Sequence, residues 1–154
     1  MDLSDLVAPD RVTVNLKAAS KKQALQELAA RAADVTGLPA RQIFDTLLER
    51  ERLGSTGVGH GIAIPHGKIA GMDRLVGMFA RLDEPIEFDA VDDQPVDLLF
   101  LLLVPEESGA EHLKALARIS RLLRNERVTK ELRHAESSHD LYDVLIQPAE
   151  SHAA

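Results

Sequence analysis

The stretch Gly59-His60-Gly61-Ile62-Ala63-Ile64-Pro65-His66-Gly67-Lys68 ends a short apolar run with an imidazole set between a proline and a glycine. Proline fixes its own φ and donates no backbone hydrogen bond, and glycine lets the chain turn away, so His66 is expected to stand at a strand end. A neutral imidazole there is a nucleophile near physiological pH. Attack on phosphorus gives a phosphohistidine, which is reactive enough to pass its phosphoryl group onward. A buried, hydrogen-bonded core histidine is the competing reading of the same residue.

Two further side chains suit phosphoryl chemistry. Ser108-x-x-Glu111 has the pattern of a capping box that opens a helix at Gly109, and His112 falls in the first turn. Backbone N–H groups and the helix dipole favour an anion at that place, although an ordinary polar helix position accounts for His112 equally. Arg50 lies at the end of an earlier helix. It either pairs with Glu49 or Glu51, or offers its guanidinium to a doubly charged phosphoryl group.

The remaining histidines are read as bystanders. His60, between glycines, is taken as an exposed loop residue, with a place beside the site as the alternative; His134, His139 and His152 lie in polar surroundings and are taken as solvated. A metal held by His60, His66 and His112 is the main rival chemistry. Zinc pairs sit closer in sequence, as in His-x-x-x-His, and recruit a carboxylate or cysteine, so neither metal nor cofactor is expected. Gly67-Lys68 is followed by Ile69 and not Ser or Thr, which excludes a phosphate-binding P-loop, and Gly57, Gly59 and Gly61 lack the spacing of a dinucleotide fingerprint.

The elements that must position these groups follow from periodicity. Arg11–Leu16 alternates and reads as a strand. Ser20 caps a helix from Lys21 to Val35, with Ala24, Leu25, Leu28, Ala29 and Ala32 as its buried stripe and Gly37 as its stop. Pro39 opens a second helix running to about Arg52. Leu75–Leu82 and Val96–Val104 read as strands, the latter apolar throughout except for Asp97 and therefore central and covered on both faces. Ile86-Glu87-Phe88, bracketed by turn signals, suggests a hairpin or an edge strand. After the Gly109 helix, pieces at about Val128–Ala135 and Asp140–Ile146 close the chain. Strands alternating with helices predict an α/β sandwich in one domain spanning residues 1–154, with a core from about 6 to 146.

Composition removes several function classes. A chain of 154 residues with a net charge of −7, four Phe, one Tyr and no Trp has neither the positive field nor the stacking surfaces of a nucleic-acid binder. Without Cys there are no disulfides or thiolate metal sites. The acidic start Met1-Asp2-Leu3-Ser4-Asp5 is unlike a secretion signal, and Val96–Val104 is far shorter than the roughly 18 residues that span a bilayer, so a cytoplasmic protein with no membrane insertion is expected.

The motif Gly61-Ile62-Ala63-Ile64-Pro65-His66-Gly67 resembles the IIA component of the bacterial phosphoenolpyruvate-dependent phosphotransferase system, in its fructose, mannitol and nitrogen-regulatory branch. The likeness continues through Arg50–Thr56, Pro85–Ala90 and Gln94–Phe100, and Asp93–Phe100 is most similar to the nitrogen-regulatory members. It implies a mixed β-sheet flanked by helices on both faces. It also implies that His66 accepts a phosphoryl group on Nε2 from an HPr-like phosphocarrier, that His112 hydrogen-bonds the phosphoryl group, and that Arg50 assists transfer. A phosphorylation-dependent regulator would follow, with partners such as sensor kinases and potassium transport proteins. A sugar-specific subunit passing phosphate to a IIB domain, and a binding module without enzymatic activity, remain the alternatives.

Overall fold

The computed structural model describes residues 2–147. Two short 3-10 turns, Leu3–Asp5 and Pro9–Arg11, precede β1 (Val12–Leu16); α1 (Lys21–Thr36) and α2 (Ala40–Arg52) follow. Next come β2 (Gly57–Gly59), β3 (Ile62–Ala63), β4 (His66–Ile69), β5 (Val76–Ile86) and β6 (Val96–Pro105). The helices α3 (Gly109–Arg124), α4 (Glu126–His134) and α5 (Ser138–Leu145) complete the order.

Local chemistry accounts for the helix limits. The Ser20 side chain accepts from Gln23 N at 3.1 Å and starts α1. Gly37, at φ 76°, ends it in the left-handed conformation, with its N–H donating to Ala33 O. The expected Ser108–Glu111 capping box does not form. Ser108 sits at φ −80°, ψ 3°, outside the extended conformation that a capping side chain needs, and its Oγ is buried without a partner among the described residues. The helix nevertheless begins at Gly109, as the sequence predicts.

The sheet is mixed and centred on β6. Strand β5 runs antiparallel to β6, with Phe79 opposite Phe100, and β1 lies parallel to β5. On the other side of β6, β3 and β4 follow one another along the same edge, both parallel to it, and β2 pairs with β3. Alternation along β6 divides the core. Leu99, Leu101 and Leu103 pack toward α1 and α2, whereas Leu98, Phe100 and Leu102 pack toward α3, α4 and α5. Helices thus cover both faces, as expected.

Several strand expectations are corrected. Arg11 belongs to a 3-10 turn and not to β1. Strand β5 continues past Leu82 through Pro85 to Ile86, which pairs with Val96, so Ile86-Glu87-Phe88 is a strand end leading into a loop and not a separate hairpin. The register shift between Arg81 and Ile86 accommodates a proline that donates nothing to the ladder. His66 opens β4 where the sequence suggested that it closes a strand.

Gly67 fixes how closely α2 approaches this region. A Cβ there would lie 2.8 Å from Thr46 Cγ2, and a β-branched side chain on a helix has little freedom to yield. Gly67→Ala is therefore expected to destabilise the protein by about 1–3 kcal/mol. Urea denaturation measures this, and Thr46→Ser, which removes the colliding methyl, should restore most of the loss.

Candidate functional site

The break between β3 and β4 creates the site. Gly61 O and Pro65 O accept from Leu98 N and Leu102 N of β6, so by alternation the Ile64 carbonyl points away from the sheet partner. The His66 ring occupies that carbonyl, with Nδ1 2.8 Å from Ile64 O. A carbonyl only accepts, so Nδ1 bears the proton and Nε2 keeps the lone pair.

Register places His66 beside Leu102, toward α3, whose first turn carries His112. The ring centroids of His66 and His112 are 5.9 Å apart with planes inclined at 60°. Nε2 of His112 is buried and, among the described residues, has no hydrogen-bond partner. From the other side comes the end of α2. Arg50 pairs with neither neighbouring glutamate; its Nη1 donates to Gly54 O at 2.9 Å, while Glu49 takes Arg52 and Glu51 takes Lys21. That single bond leaves most guanidinium donors unused. Thr46, Arg50, Leu53, His66, Lys68 and His112 line one open cleft of about 520 Å³.

The sequence therefore named three residues, His66, His112 and Arg50, that fold into one cleft. It missed Lys68 as a member, although alternation along β4 puts Lys68 on the same face as His66. It also missed the Ile64 carbonyl, which no side-chain pattern could reveal. His60 lies at the β2–β3 turn, exposed as expected, and lines a different cavity. His134 and His139 are exposed, and His152 lies outside the described residues. Among the described residues the one grouping of metal-ligand type is His139, Asp140 and Asp143, all exposed and apart from the cleft.

Burial is the main influence on the His66 imidazole and lowers its pKa below the ordinary 6.5; the Ile64 carbonyl opposes this, and the Arg50 guanidinium reinforces it. His112 is lowered as well, chiefly by burial and then by His66 and Lys68. Both rings are thus neutral at pH 7. With folded values below the unfolded one, the unfolded chain takes up more protons as pH falls, so this contribution is present above 6.5 and lost below it. The urea midpoint is expected to drop as pH is lowered from 6.5, and His66→Gln with His112→Gln should flatten that slope.

The chain is matched over residues 5–147 by the family model described as phosphoenolpyruvate-dependent sugar phosphotransferase system, EIIA 2. It is 56% identical over 148 residues to the nitrogen regulatory protein of Bradyrhizobium diazoefficiens, covering 96% of this chain and 97% of the relative. It is 41% identical over 146 residues to the nitrogen regulatory protein of Escherichia coli, covering 94% and 90%. The crystal structure of nitrogen regulatory protein IIA-Ntr from Neisseria meningitidis superposes with a TM-score of 0.88 at 34% identity, covering 93% of this chain and 98% of that one. No helix among the described residues is long and apolar enough to cross a membrane. With a family match across nearly the whole sequence and full-length relatives at this identity, the chain belongs to the EIIA 2 family of the phosphoenolpyruvate-dependent sugar phosphotransferase system.

Proposed function

We propose that this chain is a single-domain, cytoplasmic, phosphorylation-dependent regulator whose His66 takes a phosphoryl group from a phosphohistidine on an HPr-like carrier. The observation that carries this reading is the Nδ1 hydrogen bond to Ile64 O, which leaves Nε2 as a neutral nucleophile. The Nε2 lone pair forms the new N–P bond as the carrier's N–P bond breaks, and that electron pair returns to the carrier's imidazole. His66 retains its Nδ1 proton throughout, so the transfer needs neither a general base nor a metal. The phosphorylated ring then carries positive charge, which strengthens the hydrogen bond to Ile64.

Catalysis is positioning and charge stabilisation. The unpartnered Nε2 of His112 gains a partner when it donates to a phosphoryl oxygen, and Arg50 and Lys68 supply positive charge in the same cleft. Leu53, 84% exposed, lines this cleft, and Leu113, 68% exposed, follows His112 in α3; both offer the carrier an apolar contact. The regulatory role is supported by the relatives named nitrogen regulatory protein. Sensor kinases and potassium transport proteins are the class of target that the family resemblance suggests.

The test supplies phosphoenolpyruvate, enzyme I and an HPr-like carrier, and follows label into the protein. An acid-labile, base-stable phosphate is expected; no label from competent donors would overturn the proposal. His112→Ala should still be labelled, about 100-fold more slowly in a rapid-quench measurement, because one stabilising donor is lost while the nucleophile remains.

A further inference from the structure

A second concavity lies on the α3 and α4 side of the sheet, and at about 970 Å³ it is larger than the His66 cleft. Its floor is apolar, formed by Ile62, Ile64 and Leu123, and its rim is cationic, with Arg121, Arg124 and Lys130. These three side chains are exposed and, among the described residues, have no ion-pair or hydrogen-bond partner. By contrast Arg31, Arg41, Arg52, Arg118, Arg127 and Arg133 all sit in ion pairs. Glu126 is the sole carboxylate lining the cavity. Three unpaired cations gathered around one hollow stand out in a protein of net charge −7.

The mouth of this cavity is built with care. Arg133 holds both carboxylate oxygens of Asp97 at 2.9 Å and donates from Nη2 to His60 O at 2.7 Å. His60 N donates to Asp92 Oδ2 at 2.9 Å, and His60 adopts φ 58°, a left-handed conformation costly for a non-glycine residue. Backbone anchors therefore fix the turn while the His60 side chain stays at the cavity edge. Gly61, at φ 80°, adopts a conformation that favours glycine, and a Cβ there would lie 2.5 Å from Arg133 Nη2 and 2.8 Å from Asp97 Oδ1.

We propose that this cavity binds a small amphipathic anion, a phosphate or carboxylate joined to an apolar body, and that its occupant bears on His66 through Ile64. A half-open hollow of this size with an apolar floor suits a small molecule, for which pockets run from about 300 to 1,000 Å³. The free cations supply the recognition of the anionic group. Ile64 links the two sites. Its side chain is part of the cavity floor, and its carbonyl holds the His66 Nδ1 proton. A ligand pressing on that side chain shifts the carbonyl and with it the imidazole. The regulatory meaning of the link rests on His66 being the phosphoryl acceptor; the binding itself does not.

The test titrates naphthyl phosphate into the isotopically labelled full chain, with inorganic phosphate and naphthol as single-feature controls and no phosphoryl donor present. Saturable NMR shifts are expected at the methyls of Ile62, Ile64 and Leu123, and the His66 Nδ1 resonance should move along the same isotherm. Each control, and the Arg121→Gln, Arg124→Gln, Lys130→Gln variant with naphthyl phosphate, should bind about ten-fold or more weakly. Shifts centred on Leu53 and Leu113, naphthol binding as tightly as its phosphate, or an unaffected triple variant would overturn the cavity as the site. A filled cavity with a stationary His66 resonance would overturn the link. Because no transfer step is read, these outcomes are separable from a failure of His66 to accept phosphate.

Discussion

His66→Ala is expected to abolish labelling from phosphoenolpyruvate through enzyme I and the carrier, to background. The substitution removes the proposed nucleophile, and the other groups of the cleft are poorly suited to replace it. His112 approaches the same space, but its ring has no acceptor fixing a proton on one nitrogen, and its burial already disfavours added charge. The side chain is only half-buried at the opening residue of β4, so the fold should survive, and circular dichroism checks that it does. The attachment atom is a sharper test than the loss of label. Nitrogen-15 coupling to phosphorus should place phosphate on Nε2 of the wild-type protein. Attachment at Nδ1 would require the 2.8 Å bond to Ile64 O to break, and would contradict the tautomer on which the mechanism stands. Persistent label in the alanine variant would move the acceptor elsewhere altogether.

How much of this was legible in the sequence depended on whether the determining contacts were local. The limits of α1 come from Ser20 and Gly37, both of which act within one turn, and the apolar run of β6 reports burial on both faces directly. Strand β2 was invisible because three residues cannot display a period, whereas the short strand expected before His66 is present only as β3, Ile62–Ala63, which its pairing with β6 defines. The end of β5 was cut short because Pro85 reads as a breaker, whereas the register shift next to it absorbs the proline. The Ser108 pattern failed because a capping box needs a backbone conformation as well as residue types, and the turn from Pro105 to Ser108 imposes a different one. In the site, His66 was legible from Pro65 and Gly67. Its nearness to His112 was not, since that depends on the parallel register of β4 with β6 and on where α3 starts. The family resemblance supplied this pairing, and the 5.9 Å ring separation now gives it a geometric basis.

Glu51→Ala should cost about 3 kcal/mol of stability and slow phosphoryl acceptance as well. Glu51 is a buried carboxylate, 7% exposed, that accepts from Thr56 N at 3.0 Å, from Thr56 Oγ1, and from Lys21 Nζ at 2.9 Å. Lys21 is the first residue of α1, and its ammonium also lies 4.7 Å from the Phe88 ring centre. One side chain thus ties the start of α1 to the end of α2 and to the loop that leads into β2. Truncation leaves the Thr56 N–H buried without an acceptor and Lys21 with only Asp89, 3.9 Å away. Glu51→Gln keeps the acceptor and loses the charge, so about half the penalty is expected. Lys21→Met alone strands the carboxylate, and combining it with Glu51→Gln should recover stability, the signature of a coupled pair in urea denaturation. The effect on transfer follows from the next bond in the chain. Thr56 O accepts from Ile64 N at 3.0 Å, and Ile64 O holds the His66 ring, so loosening Thr56 loosens the carbonyl that sets the tautomer. A Glu51→Ala protein that lost stability yet kept the full transfer rate would show that β4 alone orients His66 and that this buried ion pair serves only the fold.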